Sequence, residues 1–236
     1  MKKLFVALLM AAGVTVAQAQ VTGNMAVTTD YRFRGVSQTQ NSLAVQGGMD
    51  LALPTGVYVG NWNSSVSADL YTRGAGVEND LYAGYKTELG KDITLDVGSY
   101  NYFYPRATAS GEKFDTYELY AGLAMGPYSV KLSRSLNDYF GITNSKGSTY
   151  VNFDYVRPVN KELSVVAHVG HTSVEKHHGF NYTDWNVGLA YDLNGWVVSG
   201  KYYTNTNETA AFKTANTLYG QKLYKDTVVF AVAKNF

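Results

Sequence analysis

The sequence predicts an all-β fold, a transmembrane antiparallel up-and-down β-barrel of about 12 strands that follows a cleaved N-terminal signal peptide. Two patterns carry this prediction. Apolar and polar residues alternate along a series of segments, most of them long enough to cross a bilayer as tilted strands. The connections between these segments are alternately short and long, as in outer-membrane barrels, whose short turns face the periplasm and whose long loops face outward.

Residues 1–19 have the three parts of a signal peptide. Met1–Lys3 is positively charged, Leu4–Val16 is apolar, and Ala17–Ala19 has small residues at both positions that signal peptidase reads. The apolar run is too short for a helix that spans a bilayer, although an uncleaved anchor helix is the alternative. We therefore expect export and a mature barrel domain at residues 20–236.

The predicted strands are separated by turn residues and polar segments. They cover Gly23–Arg34, Ser42–Leu53, Val57–Ser67, Glu78–Leu89, Ile93–Tyr104, Phe114–Met125, Tyr128–Leu136, Thr149–Arg157, Glu162–Ser173, Tyr182–Leu193, Trp196–Asn205 and Asp226–Phe236. The tight connections are Pro54–Gly56, Gly90–Asp92, Gly126–Pro127, Pro158–Asn160 and the strong hairpin signal Asn194–Gly195. The long ones are Gly35–Asn41, Ala68–Val77, Pro105–Lys113, Asn137–Ser148, Val174–Asn181 and Thr206–Lys225.

One face of each well-patterned strand is apolar. In the tenth strand, Trp185, Leu189 and the other odd-numbered residues are apolar, whereas Asp184 and the other even-numbered residues are polar or small. In a membrane barrel the apolar face contacts lipid and the polar face lines the lumen.

The composition argues against several kinds of partner. The chain has 20 basic and 19 acidic side chains, and Lys2 and Lys3 belong to the signal peptide. A mature chain so close to neutral lacks the basic stripe of a nucleic-acid-binding protein. It has no cysteine for a disulfide or a thiolate metal site. No cofactor is expected, because no P-loop or dinucleotide fingerprint is present.

The last strand ends on an aromatic residue, Phe236, at the carboxyl terminus. This ending resembles the assembly signal of bacterial outer-membrane barrels, although Lys234 stands where an aromatic residue is usual. The resemblance implies that Phe236 is read by the barrel-assembly machinery, and that outer-membrane lipid and lipopolysaccharide surround the barrel.

Two motifs near the start of the mature chain resemble the TorF porin family, a proteobacterial outer-membrane family. They are Asp30–Asn41 (DYRFRGVSQTQN) and Gln46–Leu51 (QGGMDL), and the later segments Gly60–Trp62 and Asn79–Tyr85 also match. The resemblance extends over nearly the whole mature chain. It implies an outer-membrane barrel that passes small solutes or ions, without naming the solute.

Charged residues at the strand positions that are predicted to face inward are candidates for lining the lumen. Asp30, Arg32 and Arg34 share one face of the first predicted strand. The other candidates are Asp50, Asp80, Lys86, Glu88, Asp96, Glu118, Lys131, Asp154, Asp184, Asp192 and Lys201.

These charged residues could form a charged constriction that selects solutes, or a neutralising network that blocks a narrow barrel. A structural or surface-interaction barrel with an occluded lumen is thus the alternative function. Acidic groups outnumber basic ones, which favours cations.

All four histidines, His168, His171, His177 and His178, lie close together in the sequence. His168 and His171 are three residues apart on a strand and should point to opposite faces, so we expect no metal site.

His171 and Ser173 share the outward face near the outer rim, an arrangement found in outer-membrane lipid acyl hydrolases. Asn181 or Asp184 would then have to orient the imidazole ring. This enzyme is a second alternative to a passive barrel.

Overall fold

The protein is described here by a computed structural model that covers residues 19–70, 74, 76–109, 111–206 and 209–236. The predicted signal peptide lies outside these residues, apart from Ala19. In the part of the chain so covered, no helix combines the length and the apolar character needed to cross a membrane.

Twelve antiparallel strands form a closed barrel in which each strand pairs with its neighbours in sequence and the last strand returns to the first. In chain order they are β1 (Gln20–Thr28), β2 (Ala44–Ala52), β3 (Val57–Ser65), β4 (Val77–Gly90), β5 (Ile93–Phe103), β6 (Thr116–Met125), β7 (Tyr128–Ser135), β8 (Thr149–Pro158), β9 (Leu163–Ser173), β10 (Tyr182–Leu193), β11 (Trp196–Asn205) and β12 (Thr227–Asn235). The predicted fold class and the alternation of short and long connections are confirmed.

The barrel carries its apolar residues outside and its polar residues inside. On β10, Trp185 and Leu189 are 37% and 51% exposed, whereas Asp184 between β9 and β11 is 2% exposed. On β6, Leu119 points outward and Glu118 is buried inside. The predicted faces of these strands are therefore confirmed. A soluble barrel would place its apolar face inward, so this distribution suits an exterior in contact with lipid.

The first predicted strand is wrong at its C-terminal end. β1 stops at Thr28, and residues 30–41 turn into the barrel instead of continuing the wall. Within them, Arg32–Phe33 pairs with Val36–Ser37 as a small hairpin. The two residues at its tip, Arg34 and Gly35, both have positive φ angles, of 47° and 78°. Such a two-residue turn reverses the chain, and this reversal ends the extended run that the alternating pattern predicted.

The last long connection packs against this inserted segment, which we call the first loop. It contains the short helix α1 (Ala210–Ala215), whose Phe212 is buried against Val36 and Leu223. The backbone N–H of Ser37 donates to the carbonyl of Leu223 over 2.9 Å. The first and last loops thus cover the long-loop end of the lumen together.

The chain terminus closes the barrel. The N–H of Phe236 donates to the carbonyl of Gly23 over 2.9 Å, and the N–H of Gly23 donates back over 2.7 Å. These two bonds extend the pairing between β1 and β12 to the final residue.

Candidate functional site: the barrel interior

The first loop is stabilised inside the barrel by a local ion pair. Arg32 Nε lies 2.5 Å from Asp30 Oδ2, and both side chains are almost completely buried. Ser37 and Thr39 donate hydroxyl hydrogen bonds to the same carboxylate. Arg32 also donates to the Leu223 carbonyl over 2.8 Å. The aspartate therefore holds the loop in shape, while the arginine ties it to the last loop.

Arg34 connects the first loop to the barrel wall. Its guanidinium donates to both carboxylate oxygens of Glu118 on β6, over 3.0 and 2.7 Å. It also donates to the Tyr139 hydroxyl and lies 4.2 Å from the centre of the Tyr150 ring. Burial alone would lower the pKa of the guanidinium, but neighbouring Glu118 raises it well above its usual value, so Arg34 stays charged.

The three charged residues predicted to share a face of strand one are thus inside the barrel, but for a different reason. Asp30, Arg32 and Arg34 reach the interior because the loop folds inward, and strand alternation does not place them there. Of the two alternatives, the geometry matches a paired network more closely than a row of free charges.

An acidic pair on β4 lies beneath the same loop. Glu78 and Asp80 are both buried, and Glu78 Oε1 accepts a hydrogen bond from the Tyr31 hydroxyl over 3.2 Å. Tyr100 donates to Asp80 over 3.1 Å. Aromatic rings fill the space around them, where Phe33 packs edge-on against Tyr102 at 5.3 Å.

Nearer the short-turn end, tyrosines and charged residues from neighbouring strands pair with one another. Tyr58 donates to Asp96 over 2.6 Å and also shares a hydrogen bond with Tyr120. Lys86 lies 3.7 Å from the same aspartate. A similar bond joins Tyr82 to Asp50 over 2.7 Å. Glu88, also a predicted lumen residue, is exposed at the strand end.

A histidine bridges two carboxylates across the wall formed by β8, β9 and β10. His168 Nδ1 lies 2.6 Å from Asp154 and its Nε2 lies 3.2 Å from Asp184. Tyr150 donates to Asp184 over 3.1 Å. Asp154 accepts a further bond from the Asn152 amide over 2.6 Å. These five polar side chains thus connect three neighbouring strands from the inside.

A cavity of about 240 Å³ remains between the first loop and this network. Arg34, Lys131 and His168 contribute to its lining together with several tyrosine and asparagine side chains. Lys131 on β7 stands opposite Asn152 in the register. Among the described residues, neither Lys131 nor Lys201 has a carboxylate within ion-pair distance. Within the described ranges, these two lysines are therefore interior basic groups without an ion-pair partner.

Sequence reasoning missed several interior residues. Glu78 is two residues from Asp80 and therefore lies on the same face of the strand. The predicted lumen position of Asp80 could have identified it, but the predicted strand began at Glu78. His168 lies on the same face of its strand as the inward Gly170. Its position opposite Asp154 in the neighbouring strand could have identified it as an interior residue. The inward tyrosines had no comparable signal, because tyrosine is common on both faces of barrel strands.

The hydrolase alternative requires Asn181 or Asp184 to orient the imidazole ring of His171, and in the structure both residues have other hydrogen-bond partners. His171 is on the outer face, and its Nδ1 lies 2.9 Å from the Thr183 hydroxyl. Asp184 faces the interior and bonds Tyr150 and His168. Asn181 accepts a hydrogen bond from the Val174 N–H. In the portion of the chain that is described, no hydrogen bond joins His171 to Ser173, so the residues that this mechanism needs are not brought together.

The barrel is similar to solved outer-membrane proteins. The KdgM porin in complex with disordered oligogalacturonate has a TM-score of 0.56 and 8% identity, covering 92% of this chain and 98% of that one. The NanC porin has a TM-score of 0.54 and 9% identity, covering 92% and 99%. Outer membrane phospholipase A from Escherichia coli has a TM-score of 0.48 and 11% identity, covering 94% and 98%. The two porins share the fold, and the phospholipase is too dissimilar to support an argument about chemistry.

Sequence comparison gives a family for the chain. No curated protein matches it. Residues 12–236 match the family described as "Bacterial protein of unknown function (Gcw_chp)". Because this match covers almost the entire sequence, the chain belongs to the Gcw_chp family.

Proposed function

We propose that this protein is an outer-membrane channel through which small polar solutes or ions pass passively. The observation that carries the proposal is the distribution of side chains, with an apolar exterior and an interior of charged and hydrogen-bonding groups. An exterior of this kind needs lipid around it. An interior with a cavity and available lysines suits a polar solute.

The outer membrane is the location that best fits the chain. Closed barrels span that membrane because every backbone group is paired within the wall. The predicted signal peptide and the terminal Phe236 support the same location. We further propose a relationship to the TorF porins, on the strength of the Asp30–Asn41 motif, which supplies the first loop and its charged residues.

The first loop is the proposed constriction. It enters the lumen between the long-loop end and the cavity, and Arg34 fastens it to Glu118. A solute would have to pass beside this loop, which limits passage to small molecules. The similar KdgM porin was solved in complex with disordered oligogalacturonate, so a small sugar acid is a suitable first solute to test.

The same loop supports the alternative function, an occluded barrel whose outer loops act as an interaction surface. Buried ion pairs and packed rings close much of the long-loop end, which favours a structural barrel. Conductance measured in planar bilayers distinguishes the two functions. Discrete current steps after insertion support the channel. Stable insertion without current, checked by heat-modifiable gel mobility, would refute it in favour of the occluded barrel.

A further inference from the structure

The outer surface of the barrel has a basic cluster at its long-loop rim. Arg134 is the last outward-facing residue of β7 and continues the exposed apolar column of Val130 and Leu132. Lys146 and Lys176 come from the two loops that follow β7 and β9. All three basic residues line one recess of about 720 Å³. The feature is separate from the interior site, because its residues lie on the outside of the wall.

The positions of these residues are fixed by the loops. The carboxylate of Asp138 accepts backbone hydrogen bonds from Asn144, Ser145 and Lys146, over 3.0 to 3.1 Å. The neighbouring loop is tied to it where the His177 ring contacts the Thr143 carbonyl over 2.9 Å. The rim is therefore a built surface in which two loops present their lysines next to a strand arginine.

The recess carries more positive than negative charge, because three basic residues and one carboxylate line it. Among the residues that the structure describes, Arg134, Lys146 and Lys176 form no ion pair. The one carboxylate in the lining belongs to Asp138, and three backbone N–H groups already share it. Glu175, the residue before Lys176, is also exposed. Three basic side chains around one recess favour a ligand with concentrated negative charge, and the planar fork of Arg134 matches a phosphate.

We propose that this recess binds the phosphate group of a phosphorylated lipid in the outer leaflet, of the lipid A type. This inference rests on the proposed outer-membrane location but not on conduction through the lumen. The apolar column decides between a lipid and a free phosphate. Acyl chains that extend from a phosphate at Arg134 would lie along Leu132 and Val130, whereas a free phosphate gains nothing from that column. Basic side chains at the rim of a membrane barrel would meet the charged headgroups of the surrounding lipids.

The test uses the full-length mature protein refolded in detergent. Wild type is compared with a variant carrying Arg134→Gln, Lys146→Gln and Lys176→Gln. The matched control carries Arg157→Gln, Lys161→Gln and Lys91→Gln, which remove the same charge at the short-turn end. Binding of phosphorylated lipid A, of dephosphorylated lipid A and of inorganic phosphate is measured by native mass spectrometry and by titration. Heat-modifiable gel mobility establishes that each variant has folded.

Wild type and the control should bind phosphorylated lipid A about tenfold or more tightly than the rim variant does, since each basic residue near the surface contributes to binding. Equal binding of phosphorylated and dephosphorylated lipid A would overturn the proposal. So would a rim variant that binds like wild type, or inorganic phosphate that binds as tightly as the lipid. A barrel that conducts no current would refute the proposed channel and leave this result unaffected.

Discussion

Arg34 and Glu118 are 84 residues apart in sequence and form a buried, two-pronged ion pair inside the barrel. One belongs to the first loop and the other to β6, so the pair joins the proposed constriction to the wall on the far side of the lumen. Both side chains are shielded from water. Removing one partner would therefore leave the other charge buried without compensation.

This pair predicts how stability and conductance respond to mutation. Either Arg34→Met or Glu118→Leu should lower the free energy of unfolding in detergent by about 3 kcal/mol, because a lone buried charge is costly. The double variant should lose less than the sum of the two, which urea titration can measure. Exposed Arg157→Met is the control. Additive single effects would contradict a direct interaction between the two residues.

The same variants test the role of the first loop. Releasing Arg34 from Glu118 should raise single-channel conductance, because the loop no longer has its fastening to β6. Asp30→Asn disturbs the loop internally and is expected to have a smaller effect on conductance, since Arg34 would still be bound. The measurement is conductance in planar bilayers at fixed salt. Unchanged conductance in Arg34→Met would exclude the loop as the constriction.

Lys131 should control the charge preference of the channel. It has no ion-pair partner among the described residues, and it lines the cavity beneath the loop. Lys131→Glu should shift the reversal potential in a salt gradient towards cation selectivity, because a fixed charge in a narrow lumen attracts ions of opposite sign. Lys161→Glu, in an exposed turn, should leave it unchanged. A shift of equal size in both variants would indicate a surface-charge effect.

The barrel could be predicted well from the sequence because each wall strand has its own local alternation of apolar and polar residues. β10 and β11 were predicted with the bounds observed, since Asn194–Gly195 marks their turn and the lipid-facing residues alternate strictly. The first loop could not be predicted in this way. Asp30, Arg32 and Arg34 also alternate with apolar residues, so a segment that turns inward has the same pattern as a strand.

The interior partners were equally beyond local reasoning. Which acid meets Arg34 depends on how far a loop extends across the lumen, and Glu118 becomes its partner only after the barrel closes. The predicted preference for cations counted every inward charge as available. In the structure, Asp96, Asp154 and Glu118 are held by ion pairs or hydrogen bonds, so a count of charges does not describe the lumen.

Gly170 tests how tightly the interior is packed. A Cβ added there would collide with the Tyr150 hydroxyl and ring, whereas one added at Gly122 would meet its nearest atom at 3.4 Å. Gly170→Ala should lower the free energy of unfolding by about 1–3 kcal/mol through overpacking, and Gly122→Ala much less. Tyr150→Leu should relieve the collision in a double variant. If both glycine variants unfold at the same urea concentration, the interior is not packed as described.

A substitution at Phe236 should distinguish folding of the barrel from its assembly in the cell. Its backbone pairs with Gly23, and the residue is 70% exposed, so we expect its side chain to contribute little to the stability of the closed barrel. Phe236→Ala retains both backbone hydrogen bonds and should refold in detergent with nearly wild-type stability. In cells, however, it should accumulate less in the outer membrane, because the proposed assembly signal is the terminal aromatic residue. Phe230→Ala removes an outward-facing aromatic side chain from the same strand and should assemble more efficiently than Phe236→Ala. Equal amounts of wild type and Phe236→Ala in the outer-membrane fraction would show that the terminal ring is not read during assembly.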